Sequence, residues 1–253
     1  MTRPLGRVVE LVRYPVKSMA GVATESALLG WHGLDGDRRF AFRRLGEDNS
    51  FPWLTASRVP QLVLYQPFGF DASGEPLPTH VRTPAGASLE LRSPELTAEI
   101  GGRFGGGVEL MKFKHGIFDE GAVSVISLAT IAGIGREAGR DLDRRRFRAN
   151  IVLETEPGEP FVEDGWVGGT LVFGDRESGP AVNVTLCDER CVMINLDPET
   201  AEQDPVVMKT VVRLNQNNAG VYATVVRRGA IRVGDRVSLV AGPRPSAGPP
   251  GRS

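Results

Sequence analysis

Short runs in which apolar and polar residues alternate, broken every few positions by Gly, Pro, Asn or Asp, constrain this chain more than any other feature. Phe40 and Phe42 share one face of residues 39–43, and Val182, Val184 and Leu186 alternate with Asn183 and Thr185. A period of two fits a half-buried strand. Further short strands are expected at 7–16, 25–29, 53–55, 62–65, 80–82, 88–91, 150–153, 170–173 and 221–226, with a closing hairpin over 231–239. The 31 glycines and 18 prolines supply the turns that so many strands need. The expected class is mainly β with a few helices, built on small barrels or sandwiches.

Two segments break that period. Ser93-Pro94-Glu95-Leu96 has an N-cap serine and a proline at the first helical position, and Leu96, Ile100 and Phe104 recur at helical spacing until Gly105. Residues 127–139 read as a second helix, with Leu128, Ile131 and Ile134 on one side. The change of pattern suggests a first domain over 1–92, a second over 93–241, and a Pro/Gly-rich disordered tail over 242–253.

Charge narrows the partners. Thirty Lys+Arg against 31 Asp+Glu leave a net charge of -1, so no global field draws the chain to nucleic acid or an anionic membrane. The opening residues lack an apolar signal segment, and no apolar run is long enough to span a bilayer. A cytoplasmic protein is expected, with neither nucleic acid nor membrane as partner.

The two cysteines, Cys187 and Cys191, flank the end of the 182–186 strand, and 192–194 is expected to begin another. Two thiols in a reducing compartment serve equally well as small core hydrophobes, and a local disulfide would require export. Only His32, His80 and His115 are available besides them, too scattered for a zinc site. Spacing alone leaves core packing and a functional thiol as equal alternatives.

An ordered set of motifs goes further. Residues 147–152 (Phe-Arg-Ala-Asn-Ile-Val), Trp166, Arg190-Cys191-Val192 leading to 196–200 (Leu-Asp-Pro-Glu-Thr), and 229–235 (Gly-Ala-Ile-Arg-Val-Gly-Asp) resemble the molybdenum cofactor sulfurase C-terminal (MOSC) domain. Tyr14-Pro15-Val16-Lys17-Ser18, Gly36-Asp37-Arg38 and Leu54-Thr55-Ala56 resemble the β-barrel domain that precedes it, in the layout of bacterial homologues of the mitochondrial amidoxime-reducing component.

The resemblance implies an N-terminal β-barrel-like domain, a C-terminal MOSC β-barrel, and a molybdenum–molybdopterin cofactor (Moco) with Cys191 as metal ligand. Thiolate suits a metal already bound by sulfur. Cys187 becomes a core or supporting thiol, since three residues separate it from Cys191 where relatives often have two. Lys17 and Ser18 match phosphate contacts, Arg38 a pterin-side arginine, and Arg148 and Asn150 the second domain's Arg-x-Asn, with Arg190 beside the ligand. Asp119 aligns with an aspartate near the metal, a proton relay if burial raises its pKa. Glu120 is expected to face solvent, Arg144 to Arg146 to form a solvated run, and 217–220 to line the substrate side. The implied activity is two-electron oxygen-atom transfer from a small N-hydroxylated substrate, with electrons from a ferredoxin-, flavodoxin- or cytochrome-type donor. The alternatives are a sulfur carrier using a persulfide on Cys191 and a pterin-binding module without turnover.

Overall fold

The computed structural model describes residues 2–47, 50–70 and 76–242. The chain is mostly strand, and its centre is a closed barrel of seven strands. In order around the barrel these are Thr2–Arg13, Ile151–Thr155, Val123–Ser127, Asn218–Arg227, Ala181–Glu189, Thr170–Phe173 and Arg236–Val240, which returns to the first. All neighbours are antiparallel except Val123–Ser127 with Ile151–Thr155. Closure removes sheet edges, and the inward residues fill the interior with Leu11, Val125, Leu153, Phe173, Val184 and Val221 around Trp166.

The first strand serves two partners because it bends. Gly6 pairs with Thr155 on one side and Val237 on the other, at φ +148°, and a Cβ there would meet the Glu154 carbonyl oxygen at 1.8 Å. Only glycine fits that position.

Two further cores flank the barrel. One is built from Phe40, Phe42, Leu54, Leu62, Tyr65 and Leu91, between the pair Phe40–Arg44/Val108–Lys112 and the three-stranded sheet Gln66–Phe70, Pro78–Arg82, Ser88–Glu90. Helix α1 (Pro94–Phe104) closes it, capped by the Ser93 side chain and ended by Gly105 in the left-handed conformation. The other core lies under α2 (Leu128–Ala138) and α3 (Pro205–Asn215), with Ile134, Phe147, Ile194, Val207 and Val211.

Several local readings change in the folded chain. α3 is absent from the sequence reading, although Asp204 caps it, Pro205 opens it, and Val207 and Val211 stand at helical spacing. Residues 62–65 fall in a 3-10 turn, Pro60–Leu64, and 192–194 in another, Val192–Asn195. Short apolar runs do not separate strand from turn by period alone. The expected hairpin over 231–239 is divided between sheets: Gly229–Arg232 pairs with Ser26–Gly30, while Arg236–Val240 joins the barrel. The first strand, assigned by its position to the 1–92 unit, is part of the same barrel as the later strands. Residues 243–253 of the expected tail lie outside the described residues. Among the described residues, no helix is long and apolar enough to cross a membrane.

Candidate functional site

Three turns bring the polar residues together. Tyr14-Pro15 leaves the first strand toward Phe40, where Lys17 N–H donates to the Phe40 carbonyl at 2.8 Å and Phe40 N–H to that of Pro15 at 3.0 Å. The Asp37 carboxylate, 1% exposed, accepts from Tyr14 N–H at 2.6 Å, and Arg38 N–H donates to the Tyr14 carbonyl at 2.8 Å. Arg148 follows the 3-10 turn Arg144–Phe147. Ser18, Arg38 and Arg148 have φ of 67°, 48° and 52°. Left-handed backbone at non-glycine residues costs about 1–2 kcal/mol each, so its concentration on one cavity marks a place where geometry is held against strain.

The thiol enters from the barrel wall. The ladder of Ala181–Glu189 with Asn218–Arg227 shifts register between Cys187 and Glu189. Asn217 then pins the chain from both sides, its carbonyl accepting from Arg190 N–H at 2.8 Å and its Nδ2 donating to the Arg190 carbonyl at 2.8 Å. Residues 217–220 therefore fix the backbone that carries Cys191 and are not among the cavity's lining residues. Cys191 is exposed and opens the Val192–Asn195 turn, so it stands at a turn where the sequence suggested a strand end.

The resulting cavity is about 330 Å³ and is lined by Lys17, Ser18, Arg38, Asp119, Arg148, Arg190 and Cys191. Asn150 stands behind it: its Nδ2 donates to the Val12 carbonyl at 3.1 Å, and its Oδ1 accepts from Ser124 N–H at 3.1 Å and from Arg38 at 3.4 Å. Its part is to hold the wall.

Charge in this cavity is unevenly compensated. Arg38 is paired with Asp37; burial pulls its pKa down, and the carboxylate outweighs that, leaving it raised. Lys17, 7% exposed, meets Asp119 at 2.6 Å, yet burial prevails and its pKa is lowered. Arg148 has no carboxylate partner among the described residues. Its Nη1 donates to the Met19 carbonyl at 2.8 Å, its guanidinium lies 4.3 Å from the centre of the Tyr14 ring, and burial pulls its pKa down to about 10. It is close enough to Cys191 for their charges to interact. A half-buried cation with no paired carboxylate is a ready partner for an anionic ligand.

Other residues take places the sequence did not suggest. Asp119 has a side chain 57% exposed, so the burial its relay role depends on is missing; Glu120 is exposed but lines the cavity. Of the carboxylates lining the cavity, Asp188 is buried, 2% exposed; it accepts from Ser124 Oγ at 2.9 Å and pairs with Arg190, and burial raises its pKa despite that arginine. Alternation along the strand does not reveal this, because the register shift between Val184 and Leu186 leaves Val184 in the barrel core and Asp188 on the cavity. Of the run assigned to solvent, Arg144 and Arg145 are exposed but ion-paired, to Glu10 and to Asp143 and Glu199. Arg146 is 8% exposed, bound to the Asn195 carbonyl at 2.9 Å and Asp197 at 2.7 Å, because the 3-10 turn points it inward.

Comparison with known proteins agrees with this architecture. A curated relative, the molybdenum cofactor sulfurase of Drosophila mojavensis, is 23% identical over 261 residues, covering 85% of this chain; the chain spans 31% of that relative's length. The solved YUAD protein from Bacillus subtilis superposes with a TM-score of 0.51 over 94% of this chain and 96% of its own, at 17% identity, a likeness of fold alone. YiiM from Geobacillus stearothermophilus, at 19% identity, aligns over 47% of this chain and 54% of its own with a TM-score of 0.36, too low to carry an argument. Residues 5–98 match the family model of the MOSC N-terminal beta barrel domain and residues 112–238 that of the MOSC domain, and the chain belongs to the MOSC domain family.

Proposed function

We propose that the cavity at Cys191 binds a molybdenum–pterin cofactor and that the chain is an oxidoreductase acting on small N-hydroxylated substrates. Arg148 carries the reading: a half-buried guanidinium with no carboxylate paired to it stands beside an exposed thiol, so the cavity offers a cation to an anionic ligand and a soft ligand to a metal. The residues present fit such a group. Cys191 would ligate the metal, Lys17, Ser18 and Arg148 would hold the phosphate, and Arg38, kept in place by Asp37 and Asn150, would face the pterin. The cofactor when bound supplies two-electron oxygen-atom exchange, so that two electrons and two protons convert an N–OH group to N–H and water.

The chain's own part is orientation. Asp119 pairs with Lys17 at the cavity rim and holds that ammonium toward the cavity, and Asp188 with Arg190 fixes the floor below the thiol. Electrons would come from an external ferredoxin-, flavodoxin- or cytochrome-type protein.

Metal and pterin content of the full chain, expressed in a cell that makes the cofactor, tests this. About one molybdenum and one pterin per chain are expected, with reduction of an N-hydroxylated amidine by an artificial donor. Arg148→Ala, Arg38→Ala and Lys17→Ala should each lower occupancy about tenfold to a hundredfold. A second reading, a sulfur carrier with a persulfide on Cys191, is favoured by the thiol's exposure. Metal-free protein that reacts with persulfide reagents at Cys191 would replace the first reading with the second.

A further inference from the structure

A second cavity, about 400 Å³, lies behind Arg148 and Met193, which it shares with the Cys191 cavity. Its volume lies within the roughly 300–1,000 Å³ usual for small-molecule sites. Four arginines line it, Arg82, Arg145, Arg146 and Arg148, and no carboxylate does. Arg145 and Arg146 are neutralised by Asp143, Glu199 and Asp197. Arg82 and Arg148 have no carboxylate partner among the described residues.

The rest of the lining is flat and apolar. Gln66 pairs opposite Arg82 across the hairpin, and Phe68 stands two residues on, so all three side chains share one face. The Arg82 guanidinium lies 5.7 Å from the Phe68 ring centre, and Arg148 holds Tyr14 from the other side. Two unpaired guanidiniums, one on each side of the crevice, with aromatic and aliphatic walls between them, select a ligand that carries both negative charge and a planar ring.

We propose that this second cavity is a binding site for a small aromatic anion of the nucleoside monophosphate kind. The hairpin supplies Phe68 for the ring and Arg82 for the charge, and Arg148 meets the anion from the barrel side. The two cavities share Arg148, so the site is read on a chain whose Cys191 cavity is empty, where that guanidinium is free to meet the anion.

Titration calorimetry of the full chain with AMP, adenosine and inorganic phosphate at low salt tests it. One AMP per chain is expected, and adenosine, with a ring but no charge, and phosphate, with charge but no ring, should each bind at least about tenfold more weakly. Arg82→Ala, at an exposed position whose loss leaves the fold intact, should weaken AMP about tenfold or more. Lys17→Ala, which lines only the other cavity, should leave AMP affinity within about twofold. No AMP binding, or phosphate binding as tightly as AMP, would overturn the proposal. So would an equal loss in Lys17→Ala and Arg82→Ala, which would put the anion beside Cys191.

Discussion

Cys187 and Cys191 occupy opposite sides of the same piece of barrel wall. Cys187 lies within the strand Ala181–Glu189, half-buried on the side away from the cavity that Asp188 lines. Its neighbour Asp164 has one oxygen bound to Asn215 Nδ2 at 2.7 Å, and its carboxylate lies against the Cys187 thiol. Burial, and after it Asp164, pushes the Cys187 thiol above its usual pKa. Cys191 stands beyond the register shift, exposed, with Arg148 nearby. The strand thus carries a thiol kept protonated by burial and by an acid, and the turn that follows carries a thiol offered to a cationic cavity. The pleat and the register shift make that difference, not the residue type.

The comparison breaks most readily at Asp188, the residue between the two thiols that faces the cavity. Asp188→Asn leaves Arg190 buried without its partner, and removing one member of a buried pair costs about 3–5 kcal/mol. Thermal melting should drop by on the order of 10 °C, against almost no change for the exposed neighbour Glu189→Gln. Equal melting points for the two variants would mean that the pair does not hold the wall.

Exchanging the thiols for serine tests the division of labour. Cys191→Ser should lower molybdenum content by about a hundredfold with an unchanged circular dichroism spectrum, and Cys187→Ser should stay within about twofold of the parent. Comparable losses in both would erase the distinction.

Alkylation sharpens it further. At pH 8, iodoacetamide should modify Cys191 at least about tenfold faster than Cys187, read by peptide mass spectrometry. The smallest effect belongs to Asp164→Asn, which removes a carboxylate that disfavours the Cys187 thiolate and should speed its alkylation roughly threefold. The same raised pKa has a sign in stability. Cys187's contribution is complete below the unfolded thiol pKa of about 8.5 and is lost as pH rises through the higher folded value. Alkaline melting curves of Cys187→Ser should lack that decline.

Much of this was readable along the chain, and the failures share a cause. Ser93-Pro94 and Ser127 mark their helices because a cap is a local bond, made within one turn. Lys17, Ser18, Arg38, Arg148, Arg190 and Cys191, set far apart in sequence, line one cavity, and Asn150 of the same set stands behind it. Whether Arg146 or Arg145 turns inward, or whether Asp188 or Asp119 is buried, depends on a 3-10 turn and a register shift. Those features are set by partners such as Asn195, Asp197 and Asn217, which are distant in sequence. Residues 231–239 read as a hairpin for the same reason: their local signal is a turn, while their strands belong to different sheets.

Closure of the barrel through Thr2–Arg13 also dictates an order of events during synthesis. That strand is made before its two barrel partners, Ile151–Thr155 and Arg236–Val240, and only its end, Leu11 to Arg13, has a partner nearby in sequence, Val22–Thr24. Its unpaired edges wait while the flanking core around Phe40, Leu62 and Leu96 assembles from nearby sequence. Leu5, Val8 and Leu11, the apolar face of the first strand, therefore stay uncovered until the later barrel strands arrive. A holdase chaperone acting on this chain would have its binding segment there, and would be released when Arg236–Val240 closes the ring.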